Sequence, residues 1–230
     1  MMRSTGAIWG LLLAMGATPA FAKPPPAEPN LAACPRVARD QGGAREHNRP
    51  LPVPTALRGL LRADLNHYAV ATLAGSTLCV DTSFMEGVDR LALSPDARFL
   101  SFAWHGYEAY GHVMVDRTGK GTSIDTGVAP TFSPSHGLLA AVETSEAGFG
   151  SLNAFAVWRV DPAGIREIAR VDDLPSMSDW RIDRWARETC IVLSALPLDA
   201  AEAGKAARRR YAARPKGSGW IVVRGACPSA

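Results

Sequence analysis

After position 22 the chain has no apolar run approaching the roughly 20 residues that a membrane-spanning helix needs, so a helical membrane domain is excluded downstream of that point. The spacing motifs of common enzymes are also missing. There is no G-x-S-x-G elbow, no H-E-x-x-H helix and no Gly-rich phosphate loop. Cysteine is sparse, four residues in 230, and no two of them stand at the C-x-x-C spacing of a zinc site. The most basic stretch contains a single aromatic, Tyr211. A nucleic-acid surface interleaves its cations with several stacking rings, so nucleic acid is not an expected partner. None of these patterns implies a cofactor.

The segment that comes first is informative. In MMRSTGAIWGLLLAMGATPAFA, Arg3 precedes the apolar centre Ile8–Met15, and Ala20-Phe21-Ala22 has the small-x-small form of a cleavage site. Residues 1–22 therefore read as a secretory signal, and Lys23 stands where a lipoprotein anchor would require cysteine. The expected mature product is periplasmic or secreted, with no transmembrane segment, and its 208 residues can bury one good core. Residues 23–50 form a Pro-rich and polar N-terminal segment, and residues 51–230 form the folded domain. Pro54-Thr55 opens a stretch in which Leu57, Leu60, Leu61 and Leu65 fall near helical spacing, so one short helix is expected there.

The rest of the domain is organised around Leu91–Gly127, because the chain repeats that stretch. Ser94-Pro95 returns as Ser133-Pro134, 39 residues later, and Val115-Asp116-x-x-Gly119 returns as Val160-Asp161-x-x-Gly164, 45 residues later. The turn Glu108-Ala109-Tyr110-Gly111 is echoed by Glu146-Ala147-Gly148-Phe149-Gly150. Val80-Asp81 marks a degenerate earlier unit, and a fourth unit runs through SDWRIDRW, ETCIVLSAL and GSGWIVVRG. Offsets near 40 with several strands per unit point to propeller-type repeats. Pro fixes φ at each Ser-Pro turn, and short polar side chains bond nearby backbone groups.

Ser-Pro-Asp-x-Arg-Phe-Leu-Ser-Phe followed by Val-x-Val-Asp-x-x-Gly resembles the WD-like β-propeller repeat of TolB-type periplasmic propellers, and similar repeats occur in prolyl-peptidase propellers. The likeness covers roughly residues 68–224 and implies an all-β array of about four antiparallel blades. Family propellers have six or more blades, so both a small ring and an open stack of blades stay open. The motif bears on fold rather than on activity.

Three groups of residues are candidates for function. Trp104, Tyr107, Glu108 and Tyr110 lie on one turn, Glu146 and Phe149 on its echo. Equivalent turns of a propeller open on one face, so these six form an expected binding rim for a protein or an envelope component. On the same hairpin His105, Glu108 and His112 are metal-ligand types; they carry the alternative, a small hydrolase or metal-dependent enzyme. Residues 197–217 form an Ala-rich basic insert expected to contain a helix. Within it, Lys205, Arg208, Arg209, Arg210 and Arg214 would face an anionic envelope partner. Between Asp199 and Lys216 six cations meet two carboxylates, a balance of +4 on an otherwise slightly acidic chain.

The even cysteine count in an oxidising compartment predicts two disulfides. The expected pairing is Cys34–Cys227 with Cys79–Cys190, which would tie the two ends of the chain together and join the first unit to the fourth. Its rival, Cys34–Cys79 with Cys190–Cys227, keeps each bond local and suits an open stack.

Overall fold

The computed structural model describes residues 28–36, 49–198 and 207–228. The expected signal, the first residues after it, residues 37–48 and Lys205 lie outside the described residues. Among the described residues fifteen strands make four separate antiparallel sheets. The first sheet contains β1 (Leu61–Ala63), β2 (His67–Ala71) and β3 (Thr77–Asp81); the second β4 (Gly87–Leu93), β5 (Phe99–Gly106), β6 (Ala109–Asp116) and β7 (Thr122–Asp125). The third contains β8 (Thr131–Phe132), β9 (Leu138–Glu143), β10 (Ala154–Asp161) and β11 (Gly164–Val171); the fourth β12 (Met177–Arg187), β13 (Cys190–Pro197), β14 (Arg209–Lys216) and β15 (Gly219–Arg224). Within each sheet the strands lie in chain order, an up-and-down meander.

The repeated residues perform the same local work in each unit. Ser94 and Ser133 sit between the first and second strands of their sheets. Each hydroxyl accepts a backbone N–H five residues on, from Phe99 at 2.8 Å and from Leu138 at 3.1 Å. Each backbone N–H reaches the carbonyl of that same residue, and Ala97 and His136 take the matching left-handed position, φ +57° and +60°. The Val-Asp pairs close the third strands. Asp81, Asp116 and Asp161 each accept the N–H two residues on, at 2.8, 3.0 and 2.9 Å, the side-chain turn expected of aspartate.

Burial of both faces explains the long apolar strands. β9 and the first half of β10 are buried almost throughout, because each inner sheet packs against a neighbour on either side. The first core cluster joins Tyr68 and Val70 to Leu100, Phe102 and Val115. A second joins Phe99 and Met114 to Leu139, Ala156 and Trp158. The third joins Val142, Phe155 and Val157 to Trp180, Ile191, Leu193 and Tyr211. Each cluster lies between sheets consecutive in the chain, and no isolated sheet could bury such a surface.

The polar ends of the second sheet are bonded across sheets. Asp116, fully buried, receives Arg98 at 3.1 and 2.7 Å, and the same guanidinium reaches the Asp161 carbonyl at 2.6 Å. Arg117 is 3 % exposed and donates to the carbonyls of Ala71, at 2.7 Å, and Ala97. Burial without a carboxylate lowers its pKa from the ordinary arginine value.

Three sequence expectations are corrected. The stretch after Pro54 is not a helix beyond a single 3-10 turn, Thr55–Leu57. Leu61 pairs instead with Val70 in β1, and the Leu60 carbonyl accepts the Ala71 N–H at 2.9 Å. A helix this short is marginal in water, and the edge of β2 offers backbone partners that it lacks.

In the basic insert, residues 199–206 lie outside the described residues, and the part that follows them is a strand where the expected helix would have continued. Arg209–Lys216 form β14, paired with β13 on one side and β15 on the other. Tyr211, Ala212 and Ala213 are buried there; tertiary pairing overrides the helix propensity of alanine. β14 stands third in its sheet, as the Val-Asp strands do in theirs. Deleting residues 201–214 would therefore remove most of an inner strand.

The disulfides are the local pair, Cys34–Cys79 and Cys190–Cys227, with Cα separations of 5.5 and 6.0 Å, not Cys34–Cys227 and Cys79–Cys190. Cys79 pairs across to Ala69, on the face of the first sheet opposite to Tyr68 and Val70. The segment 28–36 covers that face and the β3 edge, with the Asn30 N–H donating to Thr77 Oγ1 at 2.9 Å. Loop entropy favours the longest loops, but Cα proximity decides feasibility, and each terminus lies against its own sheet.

Candidate functional site

The two turns matched in sequence meet in space. Tyr107 and Glu108 form the two-residue tip joining β5 to β6, while residues 144–153 join β9 to β10. The Tyr110 N–H donates to the Phe149 carbonyl, and the Ser151 N–H donates to the Tyr110 carbonyl, both at 3.0 Å. Tyr107 is 78 % exposed, Tyr110 41 % and Phe149 39 %; Glu108 and Glu146 are exposed beside them. Five of the six expected rim residues thus stand at one surface. Phe84, 52 % exposed, extends it and packs edge-on against Trp104 at 4.9 Å between centroids.

Trp104 itself lies beneath the rim. It is 6 % exposed, and its Nε1–H donates to Asp125 Oδ2 at 3.2 Å. Asp125 Oδ1 accepts the Ser151 hydroxyl at 2.5 Å and the Gly127 N–H at 2.9 Å. Glu143, 5 % exposed, accepts the N–H groups of Leu152 and Asn153 at 3.1 and 3.2 Å and the Tyr110 hydroxyl at 3.4 Å. A Cβ at Gly150 would overlap the Glu143 carboxylate, and one at Gly111 would overlap Ser151 Oγ and the Trp104 indole. Both glycines are required by close approach, not by flexibility. The exposed rings therefore stand on a rigid base, which lowers the entropy lost when a partner immobilises them.

The metal-ligand types on this hairpin have separate surroundings. His105 is exposed, with Asp89 3.9 Å away; Glu108 occupies the tip at φ +47°. His112 is buried, with Nδ1 2.9 Å from Thr126 Oγ1. Among the described residues no three His, Cys, Asp or Glu side chains gather as a metal site would need.

Burial lowers the His112 pKa from its ordinary 6.5, with the Asp125 charge opposing the shift. Above pH 6.5 the ring is neutral in both the folded and the unfolded chain. Below it the unfolded chain takes up a proton that the buried ring resists, so stability falls until the folded-state pKa is passed. Urea denaturation should show the wild type losing more stability between pH 7 and pH 5 than His112→Gln does; equal losses would remove His112 as the cause.

The expected anionic patch is divided by the strand. Arg209 and Arg210 point to opposite faces of the fourth sheet because they are neighbours on β14. Arg208 is drawn inward to Asp179, at 2.5 Å, and to Ser194 Oγ, at 2.9 Å; Arg181 meets the same aspartate at 2.7 Å. These two arginines hold the Asp179 pKa below the usual carboxylate value against the opposing effect of desolvation. Arg210 and Arg214 share a face, both exposed.

Sequence reasoning missed Phe84, Asp125, Glu143 and Ser151. Phe84 left a trace, as a large apolar residue inside the turn after Val80-Asp81. The others carry no motif, since each also bonds a group of the neighbouring unit. No protein-family model matches the chain, and no curated protein sequence matches it.

Proposed function

We propose that the protein is an exported, non-catalytic binding module of propeller-type blades, patterned like the TolB-type repeat, and that it captures a protein or cell-envelope component on the aromatic rim. The observation that carries this reading is the set of exposed rings, Tyr107, Tyr110 and Phe149, held on two hairpins locked together through Tyr110. Aromatic anchors with rigid support are the usual centres of protein interfaces. Export is supported by two disulfides among the described residues, since such bonds persist in oxidising compartments. Among the described residues no helix is long and apolar enough to cross a membrane.

The blades are proposed to form an open stack in chain order. Both disulfides are local, and each of the three core clusters joins consecutive sheets.

The rim reading is tested by retention of partners from envelope extracts on immobilised protein. Tyr107→Ala combined with Phe149→Ala should weaken retention on the order of ten-fold without changing the melting curve, because neither side chain is buried. Equal retention by the variant and the wild type would reject the rim.

A further inference from the structure

The outward face of the fourth sheet holds a second site, built by an arrangement of arginines that the strand period conceals. Arg181, Arg184 and Arg187 recur every third residue. On a regular strand successive members of such a series would alternate faces. In β12 they do not. Arg181 pairs with Ser194, Arg184 with Val192 and Arg187 with Cys190, so a period of three on β12 meets a period of two on β13. The register shifts at Asp183 and Ala186 absorb the extra residue each time, as β-bulges do. Ile182 and Trp185 then face the core against Leu193 and Ile191, while all three arginines face outward.

Opposite them, Arg210 on β14 pairs with Ser194 and projects on the same face. Together with Asp183, the cations Arg184, Arg187 and Arg210 line a cavity of about 630 Å³. Its floor includes Val192, 7 % exposed. Its far wall is the segment from Gly225 to Pro228, tethered by Cys190–Cys227 and held by the Arg187 guanidinium donating to the Pro228 carbonyl.

The charges around this cavity are unequal. Asp179 is taken by Arg181 and Arg208, and Asp183 Oδ1 accepts the Ser194 hydroxyl at 2.7 Å. Among the described residues neither Arg184 nor Arg210 has a carboxylate partner within ion-pair distance. Three guanidinium groups against one carboxylate leave the cavity with excess positive charge. Planar guanidinium forks match oxyanions with several acceptor oxygens. The apolar floor and the small residues Ala186, Gly225 and Ala226 leave room for an uncharged body of sugar or small-ring size.

We propose that this cavity binds a phosphate monoester carried on a small organic body, either a free metabolite-sized ester or the headgroup of a lipid. Arg184 and Arg210 hold the phosphate, and Arg187 keeps the tail in place as the wall. This site is separate from the aromatic rim and does not depend on it.

The test is calorimetric titration of the full exported chain with glucose 6-phosphate and with glucose, beside co-sedimentation with vesicles of phosphatidylcholine with and without phosphatidic acid. Glucose 6-phosphate binding without glucose binding supports a free ester; sedimentation only with phosphatidic acid supports a headgroup. In either case Arg184→Gln and Arg210→Gln should each weaken binding by roughly ten-fold with an unchanged melting temperature, since both side chains are exposed. Binding of neither phosphate probe overturns the proposal. So does phosphate binding that both variants retain at full strength, which would place the anion elsewhere. Arg62→Gln, on the first sheet and outside the cavity lining, is the control for general loss of positive charge and should bind as the wild type does.

Discussion

Arg98→Ala is expected to destabilise the fold by roughly 3 kcal/mol. The substitution leaves the Asp116 carboxylate fully buried, with only the Thr118 N–H at 3.0 Å and the Thr118 hydroxyl at 2.9 Å still donating to it. It also removes the donor that reaches Asp161 at the end of the third sheet, so the contact between two units loosens together with the pair. Removing the stranded charge should restore part of the loss. Arg98→Ala with Asp116→Asn is expected to be more stable than Arg98→Ala alone, because asparagine can keep accepting from Thr118 without a charge to desolvate. Urea denaturation of the single and double variants gives the coupling directly. Strictly additive losses would show that the pair contributes no more than two independent polar side chains.

Cys190→Ser with Cys227→Ser should cost about 4 kcal/mol in the chain-entropy account, given the 37-residue separation. The effect is structural as well as entropic. The bond holds the tail after β15 against the outward face of the fourth sheet, over Cys190 and Val192, which are 3 % and 7 % exposed. Freeing the tail exposes that apolar floor and opens the arginine cavity, so affinity for the phosphate probe should fall together with the melting temperature. A loss below about 1 kcal/mol would mean that the Arg187 contact to Pro228 holds the tail unaided. The Cys34–Cys79 bond spans 45 residues and should give a similar loss on removal, but without any effect on phosphate affinity, because it covers the first sheet. That contrast separates a general effect of disulfide removal from a local effect on the cavity.

What the amino-acid order determined by itself is the content of each unit. The Ser-Pro turns at Ser94 and Ser133 and the aspartates closing β3, β6 and β10 act through bonds to groups two to five residues away. Interactions that short are written in the local sequence, so the all-β class and the repeated turns were legible. Only the tertiary structure decided the partners. Arg209–Lys216 became a strand because β13 and β15 each offered an unpaired edge, although alanine favours a helix. The cysteines joined locally because each terminus lay on its own sheet. Arg181, Arg184 and Arg187 came to share one face because β13 imposed its period of two on a bulged neighbour. Backbone pairing is satisfied by whichever strand is adjacent in space, and adjacency is a property of the packed chain rather than of any one segment.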